Sequence, residues 1–152
     1  SLIGLANFPE LKRYYLSDGK KSYLYKDKKK FVLQSLNNHD IKNIRIIGNF
    51  YGNFNHKKRD KIIDKFGKSF RLISYDALNY CLIAEGKLDA VMETNLKPYD
   101  IIPLIPILRN SGAFVSTWSG GKAEKGGNIL ASSNIKLHNK ILKILKPFTK
   151  TK

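Results

Sequence analysis

Gly86-Lys87-Leu88-Asp89-Ala90-Val91-Met92-Glu93-Thr94-Asn95-Leu96-Lys97-Pro98-Tyr99-Asp100 reads as a helix stop, a strand, a short loop and a helix start. Gly86 ends the preceding helix, and Leu88 to Glu93 forms an apolar strand with Glu93 at its end. Lys97-Pro98-Tyr99 then delivers Asp100 to the mouth of the next helix. Strand ends and helix N-termini are where α/β proteins place ligands. A helix N-terminus also keeps a carboxylate ionised and oriented for a divalent cation. The same position suits a plain capping residue, and the residues alone leave both readings open.

On the C-terminal side, an apolar helix from about Tyr99 to Asn110 is predicted, with Pro103 in its first turn and Pro106 kinking it. Strands Ala113 to Trp118 and Asn128 to Ser132 follow. A last helix, capped by Asn134, buries Leu137, Ile141, Ile144 or Leu145, and Phe148. On the N-terminal side, Ile44 to Phe50 predicts a strand. His56 to Phe66 predicts a helix with Ile62, Ile63 and Phe66 inward, stopped by Gly67. Phe70 to Ile73 is a short strand. Ser74 is expected to cap a helix whose inner face uses Ala77, Leu78, Cys81, Leu82 and Ala84. This alternation implies an α/β layer structure.

Residues before Asn37 follow another pattern. Runs to Ala6, at Tyr14-Tyr15-Leu16, at Tyr23-Leu24-Tyr25 and at Phe31-Val32-Leu33 are short, aromatic strands, with Ser17-Asp18-Gly19 and a Lys-rich stretch as turns. The expectation is a layered α/β sandwich. Residues 1–36 contribute the last strands of an upstream antiparallel sheet, and residues 37–152 form a C-terminal mixed sheet flanked by helices. Ser1-Leu2-Ile3-Gly4-Leu5-Ala6 opens inside an apolar run, as a chain cut within a sheet would.

Composition narrows the function classes. The chain has 152 residues, 42% hydrophobic and 26% charged, which is globular in character. No apolar run suffices to cross a bilayer and no signal-peptide pattern opens the chain, so a cytoplasmic protein with no membrane partner is expected. One cysteine, Cys81, excludes an internal disulfide, and its apolar helix face predicts packing. The formal net charge is +16. Lysine supplies most of it in turns and on polar faces, and no nucleic-acid-binding motif accompanies it, so no nucleic acid is expected as partner. Gly67-Lys68-Ser69 ends like a phosphate-binding loop, but that pattern needs a glycine where Ile62 stands. His39, His56 and His138 lack metal-ligand spacing and are read as surface or loop residues.

Leu96-Lys97-Pro98-Tyr99-Asp100-Ile101-Ile102-Pro103-Leu104-Ile105-Pro106-Ile107, followed by Asn110-Ser111-Gly112-Ala113 and Thr117-Trp118-Ser119-Gly120-Gly121, resembles the C-terminal signature of the inositol-monophosphatase superfamily. The Lys-Pro-Tyr-Asp form with an internal Ile-Pro-Ile is similar to its bacterial histidinol-phosphate phosphatases. Leu78 to Asp89 is similar to the family helix ending in Ala-x-Gly-x-x-Asp, and Gly127 to Ser132 to its final strand. Leu2-Ile3-Gly4-Leu5 with Phe8-Pro9 and Gly19 resembles the segment after the Asp-Pro-x-Asp-Gly-Thr motif. Gly112-Ala113 replaces Gly-Gly, and Ser119 replaces an acidic residue. Neither Asp-Pro-x-Asp-Gly-Thr nor Gly-Glu-Glu occurs in the chain.

The resemblance implies a Mg²⁺-dependent phosphomonoesterase in which metal-activated water attacks a small phosphomonoester. It makes Asp100 a ligand of the second metal and places Glu93 against the non-phosphate part of the substrate. Asp76 occupies another substrate-facing position, where a carboxylate suits a cationic amine such as that of histidinol. With most metal ligands and the phosphate cradle absent, the chain alone is expected to be inactive. A homodimer is compatible with this reading. An inositol or sugar-phosphate phosphatase, and a basic nucleic-acid-binding module, are the alternatives.

Overall fold

A computed structural model of the chain describes residues 3–149. Leu2, at the start of the first predicted strand, lies outside the described residues.

Strands β1 (Gly4–Phe8), β2 (Arg13–Ser17), β3 (Ser22–Lys26) and β4 (Lys29–Val32) form an antiparallel meander in chain order. Its turns follow from local chemistry. Asp18 Oδ1 accepts hydrogen bonds from the Lys20 and Lys21 amides, each at 2.9 Å. Asp27 and Lys28, both at positive φ (51° and 59°), make the two-residue hairpin that pairs Lys26 with Lys29.

The second sheet contains β5 (Ile46–Phe50), β6 (Phe70–Leu72), β7 (Ala90–Leu96), β8 (Phe114–Thr117) and β9 (Gly127–Ser132) in the order β6-β5-β7-β9-β8. β5 is parallel to β6 and β7, whereas β9 is antiparallel to β7 and β8. Helices α1 (His56–Phe66) and α2 (Ala77–Ala84) carry the two parallel crossovers. α3 (Pro98–Ile101) and α4 (Leu104–Arg109) follow β7, and α5 (Ile135–Leu145) follows β9.

The period of two along β7 sorts its side chains into two cores. Val91 joins Ile83 of α2, Leu104 and Leu108 of α4, and Tyr15 and Leu24 of the meander. Ala90 and Met92 join Ile62 of α1 and Leu137 and Ile141 of α5. The layers therefore run meander, α2 with α4, mixed sheet, α1 with α5. This is the expected α/β sandwich. Each fully buried Ile or Leu contributes roughly 1.5–3 kcal/mol.

Several local expectations need correction. The helix after Tyr99 is two helices, broken at Ile102-Pro103. Pro106 accounts for the position of the break, because its ring excludes the carbonyl four residues back, that of Ile102. On α2 the fully covered residues include Asn79, Tyr80 and Ile83, while Leu78 and Leu82 are only partly covered. A helix packed between two sheets buries more than one stripe. Ser74 does not cap α2. His138 is buried, with Nε2 2.8 Å from Ser116 Oγ and Nδ1 3.2 Å from Ser132 Oγ, and burial pushes its pKa down to about 4. Asn134 does cap α5, accepting from the Leu137 amide at 2.9 Å.

Gly126 lies beside the end of β7. It adopts φ 71°, and a Cβ there would sit 2.4 Å from the Leu96 carbonyl oxygen. Gly126→Ala should cost about 1–3 kcal/mol through this overlap and the left-handed φ. Urea unfolding measures it, and an unchanged midpoint would refute the close approach.

Candidate functional site

At the end of β7 the pairing with β9 shifts register between Glu93 and Leu96, and Asn95 takes φ 60°. Bulges of this kind re-aim side chains. Here Glu93, Asn95 and Leu96 all line one cavity of about 590 Å³ between the mixed sheet, α2, the α3–α4 turn and β1. Asp76 and Asp100 line it too, so all three carboxylates singled out from the sequence share a single cavity. Ala6, Phe8 and Leu104 give it an apolar wall. Among the described residues that line it there is no Lys, Arg or His, although the chain as a whole carries +16.

Glu93 is 2% exposed. An ionised carboxylate at such a place needs donors. Oε1 accepts from Ser74 Oγ at 3.0 Å and Asn79 Nδ2 at 3.3 Å, and Oε2 accepts from the Tyr80 phenol at 2.8 Å. Burial raises the Glu93 pKa, and the Asp76 charge adds to the rise. The hydrogen bonds from Tyr80, Ser74 and Asn79 oppose it. Burial, followed by the neighbouring Glu93 charge, holds the Tyr80 phenol well above its ordinary pKa.

Asp76 stands at the start of α2 with φ 48° and ψ −129°, nearly the backbone of Gly67 at φ 53° and ψ −132°. For a residue with a side chain this conformation costs about 1–3 kcal/mol. Its side chain makes no capping bond; Oδ1 accepts from the Tyr51 phenol at 3.2 Å. The Tyr51 oxygen also lies 2.8 Å from Ser74 Oγ, and the Tyr51 carbonyl accepts from Thr94 Oγ1 at 3.0 Å. Asn79 steadies the entry to α2 by accepting from the Tyr75 amide at 3.0 Å.

Asp100 is exposed at the cavity mouth, in the first turn of α3. Its Oδ2 accepts from the Lys97 amide at 2.8 Å, which holds the loop and leaves Oδ1 for another partner. Both readings from the sequence, a helix-terminal carboxylate and a carboxylate presented to a ligand, describe this geometry. A hard divalent cation takes oxygen donors, and Mg²⁺ takes about six. Asp100 supplies one of the right kind. Among the described residues no group of three or more His, Cys, Asp or Glu is placed to hold a metal ion. The donor set therefore does not by itself amount to a magnesium site.

Tyr51, Ser74, Asn79 and Tyr80 were not singled out as site residues from the sequence. Asn79 and Tyr80 carried one signal, as polar groups inside an otherwise apolar helix. Tyr51 carried none, because its partners are 23 and 25 residues away.

The family model "Inositol monophosphatase family" matches residues 1–149. The chain is 29% identical over 83 residues to the bifunctional phosphatase IMPL2, chloroplastic, of Arabidopsis thaliana, covering 49% of this chain and 24% of that protein. It is 29% identical over 85 residues to the histidinol-phosphatase of Mycobacterium tuberculosis, covering 55% of this chain and 32% of that protein. Among solved structures, Mycobacterium tuberculosis SuhB superposes with a TM-score of 0.80 at 19% identity, over 97% of this chain and 60% of that one. This last likeness is one of fold. The matches thus span only part of the length of these relatives.

The raised pKa of Glu93 fixes a sign. The folded chain holds this proton more tightly than the unfolded chain does. Glu93 therefore favours folding most below the ordinary carboxylate range and loses that contribution as pH rises through its own pKa. Glu93→Gln should gain stability relative to the parent as pH rises from about 4 to 8. Urea midpoints of both proteins across that range test this, and a difference that is flat or falls with pH would refute the shift.

Proposed function

We propose, from the premise that this chain belongs to the inositol monophosphatase family, that it serves a magnesium-dependent phosphomonoesterase and that its cavity receives the alcohol portion of the substrate. Histidinol phosphate is the ester that suits it. The observation that carries this reading is the sign of the cavity: three carboxylates and no cation line it among the described residues. An ammonium on the leaving group finds Asp76 and Glu93 there. Inositol and sugar phosphates offer hydroxyls, which can donate to Asp76 but bring no positive charge to the carboxylates. The similarity to a histidinol-phosphatase points the same way.

In this reading, the chain's own residues bind and orient. Glu93, fixed by three donors, sets the position of the alcohol, and Asp76 discriminates by charge. Asp100 offers one oxygen toward the cation that the family uses at the phosphate. No catalytic step is assigned to residues of this chain.

Two outcomes follow. With millimolar Mg²⁺ and histidinol phosphate, the chain alone should turn over far below the usual enzyme range of about 1–10³ s⁻¹. Its Mg²⁺ binding should be weak, because one carboxylate satisfies little of an octahedral shell. Turnover within that range, or tight stoichiometric Mg²⁺ binding that survives Asp100→Asn, would contradict the ligand count. The second outcome concerns selectivity. A charge-assisted hydrogen bond contributes about 1.5–3 kcal/mol, roughly tenfold to a hundredfold in affinity. Asp76→Ala should weaken histidinol phosphate binding by that factor or more, and inositol phosphate binding by less. Calorimetry with both ligands on one variant measures the ratio, and an unchanged ratio removes Asp76 from the site.

A further inference from the structure

Four oxygens run in a line along one wall of the cavity. Glu93 Oε1 is 3.0 Å from Ser74 Oγ, Ser74 Oγ is 2.8 Å from the Tyr51 phenol, and the phenol is 3.2 Å from Asp76 Oδ1. A carboxylate stands at each end and a hydroxyl at each inner position. Each of the three contacts needs a proton, and the two hydroxyls bring one apiece. With both carboxylates ionised, one contact is therefore left as two oxygens facing each other. If each hydroxyl serves its nearer carboxylate, the unfilled contact is the middle one, which is the shortest of the three.

The other groups around this line do not remove the shortage. Asn79 Nδ2 and the Asp76 amide donate to Ser74 Oγ at 3.3 and 3.2 Å, and Tyr80 donates to the far oxygen of Glu93. None of them places a proton between Ser74 and Tyr51 or between Tyr51 and Asp76. The ionisable groups facing Glu93 and Asp76 are Tyr51 from the loop after β5 and Tyr80 from α2. Asp100 from α3 and Tyr99 line the same cavity. No cation among the described lining residues relieves the pair.

We infer that Tyr51 is a positioning residue of the cavity: its one phenolic proton, sought by two acceptors, ties Asp76 and Glu93 into a single unit that is one donor short and that a cationic N–H donor completes. In the empty cavity a proton on buried Glu93 fills the gap: Glu93 donates to Ser74, Ser74 to Tyr51 and Tyr51 to Asp76. When a ligand ammonium donates to Asp76, the Tyr51 proton turns to Ser74 and the Ser74 proton to Glu93, which releases its own proton to solvent. All acceptors are then served with both carboxylates ionised. A ligand that brings only acceptors leaves the gap open. This inference rests on the reading of the cavity as the seat of the leaving alcohol, and it adds Tyr51 and Ser74 to the residues that select it.

The test is a titration of the chain with ¹³C-labelled Asp and Glu carboxyls, followed by NMR from about pH 3 to 9, a range bracketing the ordinary carboxylate values. In the parent, Glu93 should show an inflection that the Asp76 carboxyl signal also reports, because the line of hydrogen bonds rearranges when Glu93 ionises. That inflection should lie above the ordinary carboxylate range, as burial of Glu93 requires. Tyr51→Phe cuts the line at one link and Ser74→Ala at another. In each, the Asp76 signal should no longer report the Glu93 inflection. If either variant fails to fold, the other carries the test. A purely structural role for Tyr51 would lower the melting temperature and leave the inflections shared. Shared inflections that persist in a folded variant, or single unshared ones in the parent, overturn the inference. Saturating L-histidinol should abolish the raised Glu93 inflection in the parent. Binding of L-histidinol, seen in the amide spectrum, without that loss overturns the donor requirement. Absence of binding, with the shared inflections intact, overturns the amine-bearing substrate and upholds the Tyr51 link.

Discussion

A strand paired on both edges and covered on both faces has no solvent toward which to turn a side chain, and β7 is such a strand. It lies between β5 and β9, with one face against α2 and α4 and the other against α1 and α5. Every residue from Ala90 to Thr94 is buried. An apolar run satisfies this constraint as far as Met92. Glu93 does not, and an isolated charge in such a place costs several kcal/mol. The surroundings of β7 at that point are built to meet this cost. α2 brings Asn79 and Tyr80, its lead-in brings Ser74, and the register shift opens the cavity beyond.

That arrangement gives α2 its character. A helix between two sheets normally shows only apolar groups, and here two polar side chains are among its best-buried positions. The strained backbone at Asp76 belongs to the same device. It turns the chain sharply between Ser74, which serves Glu93, and Ala77, where the helix begins. A side chain is retained where the equivalent conformation at the end of α1 is taken by a glycine.

Much of this was legible in the sequence, because it is local. Asn134 before an apolar period of 3.6, Gly67 after Phe66 and the alternation of strand with helix each reflect interactions within a few residues. So does Asp100 after Lys97-Pro98-Tyr99, whose carboxylate bonds the Lys97 amide. The misread features depend on distant partners. Ser74 looks like a helix cap until Glu93 is beside it. Leu78 and Leu82 look more buried than Asn79 and Tyr80 until the Glu93 carboxylate is in place. His138 looks like a surface residue until Ser116 and Ser132 enclose it. In each case tertiary context outweighs residue propensity.

The contrast between a basic chain and an acidic cavity also bears on how a ligand arrives. The field of the whole molecule, at +16, draws anions from a distance of about one Debye length, roughly 8 Å at physiological salt. At closer range the carboxylates of the cavity repel the anionic end and attract a cationic one. Under the proposed reading, a molecule with a dianion at one end and an ammonium at the other would be drawn by one end and turned by the other before contact. Its encounter rate and its alignment then respond to ionic strength in different ways: the long-range attraction weakens as salt rises, while the short-range orienting field inside the cavity is largely sheltered from it.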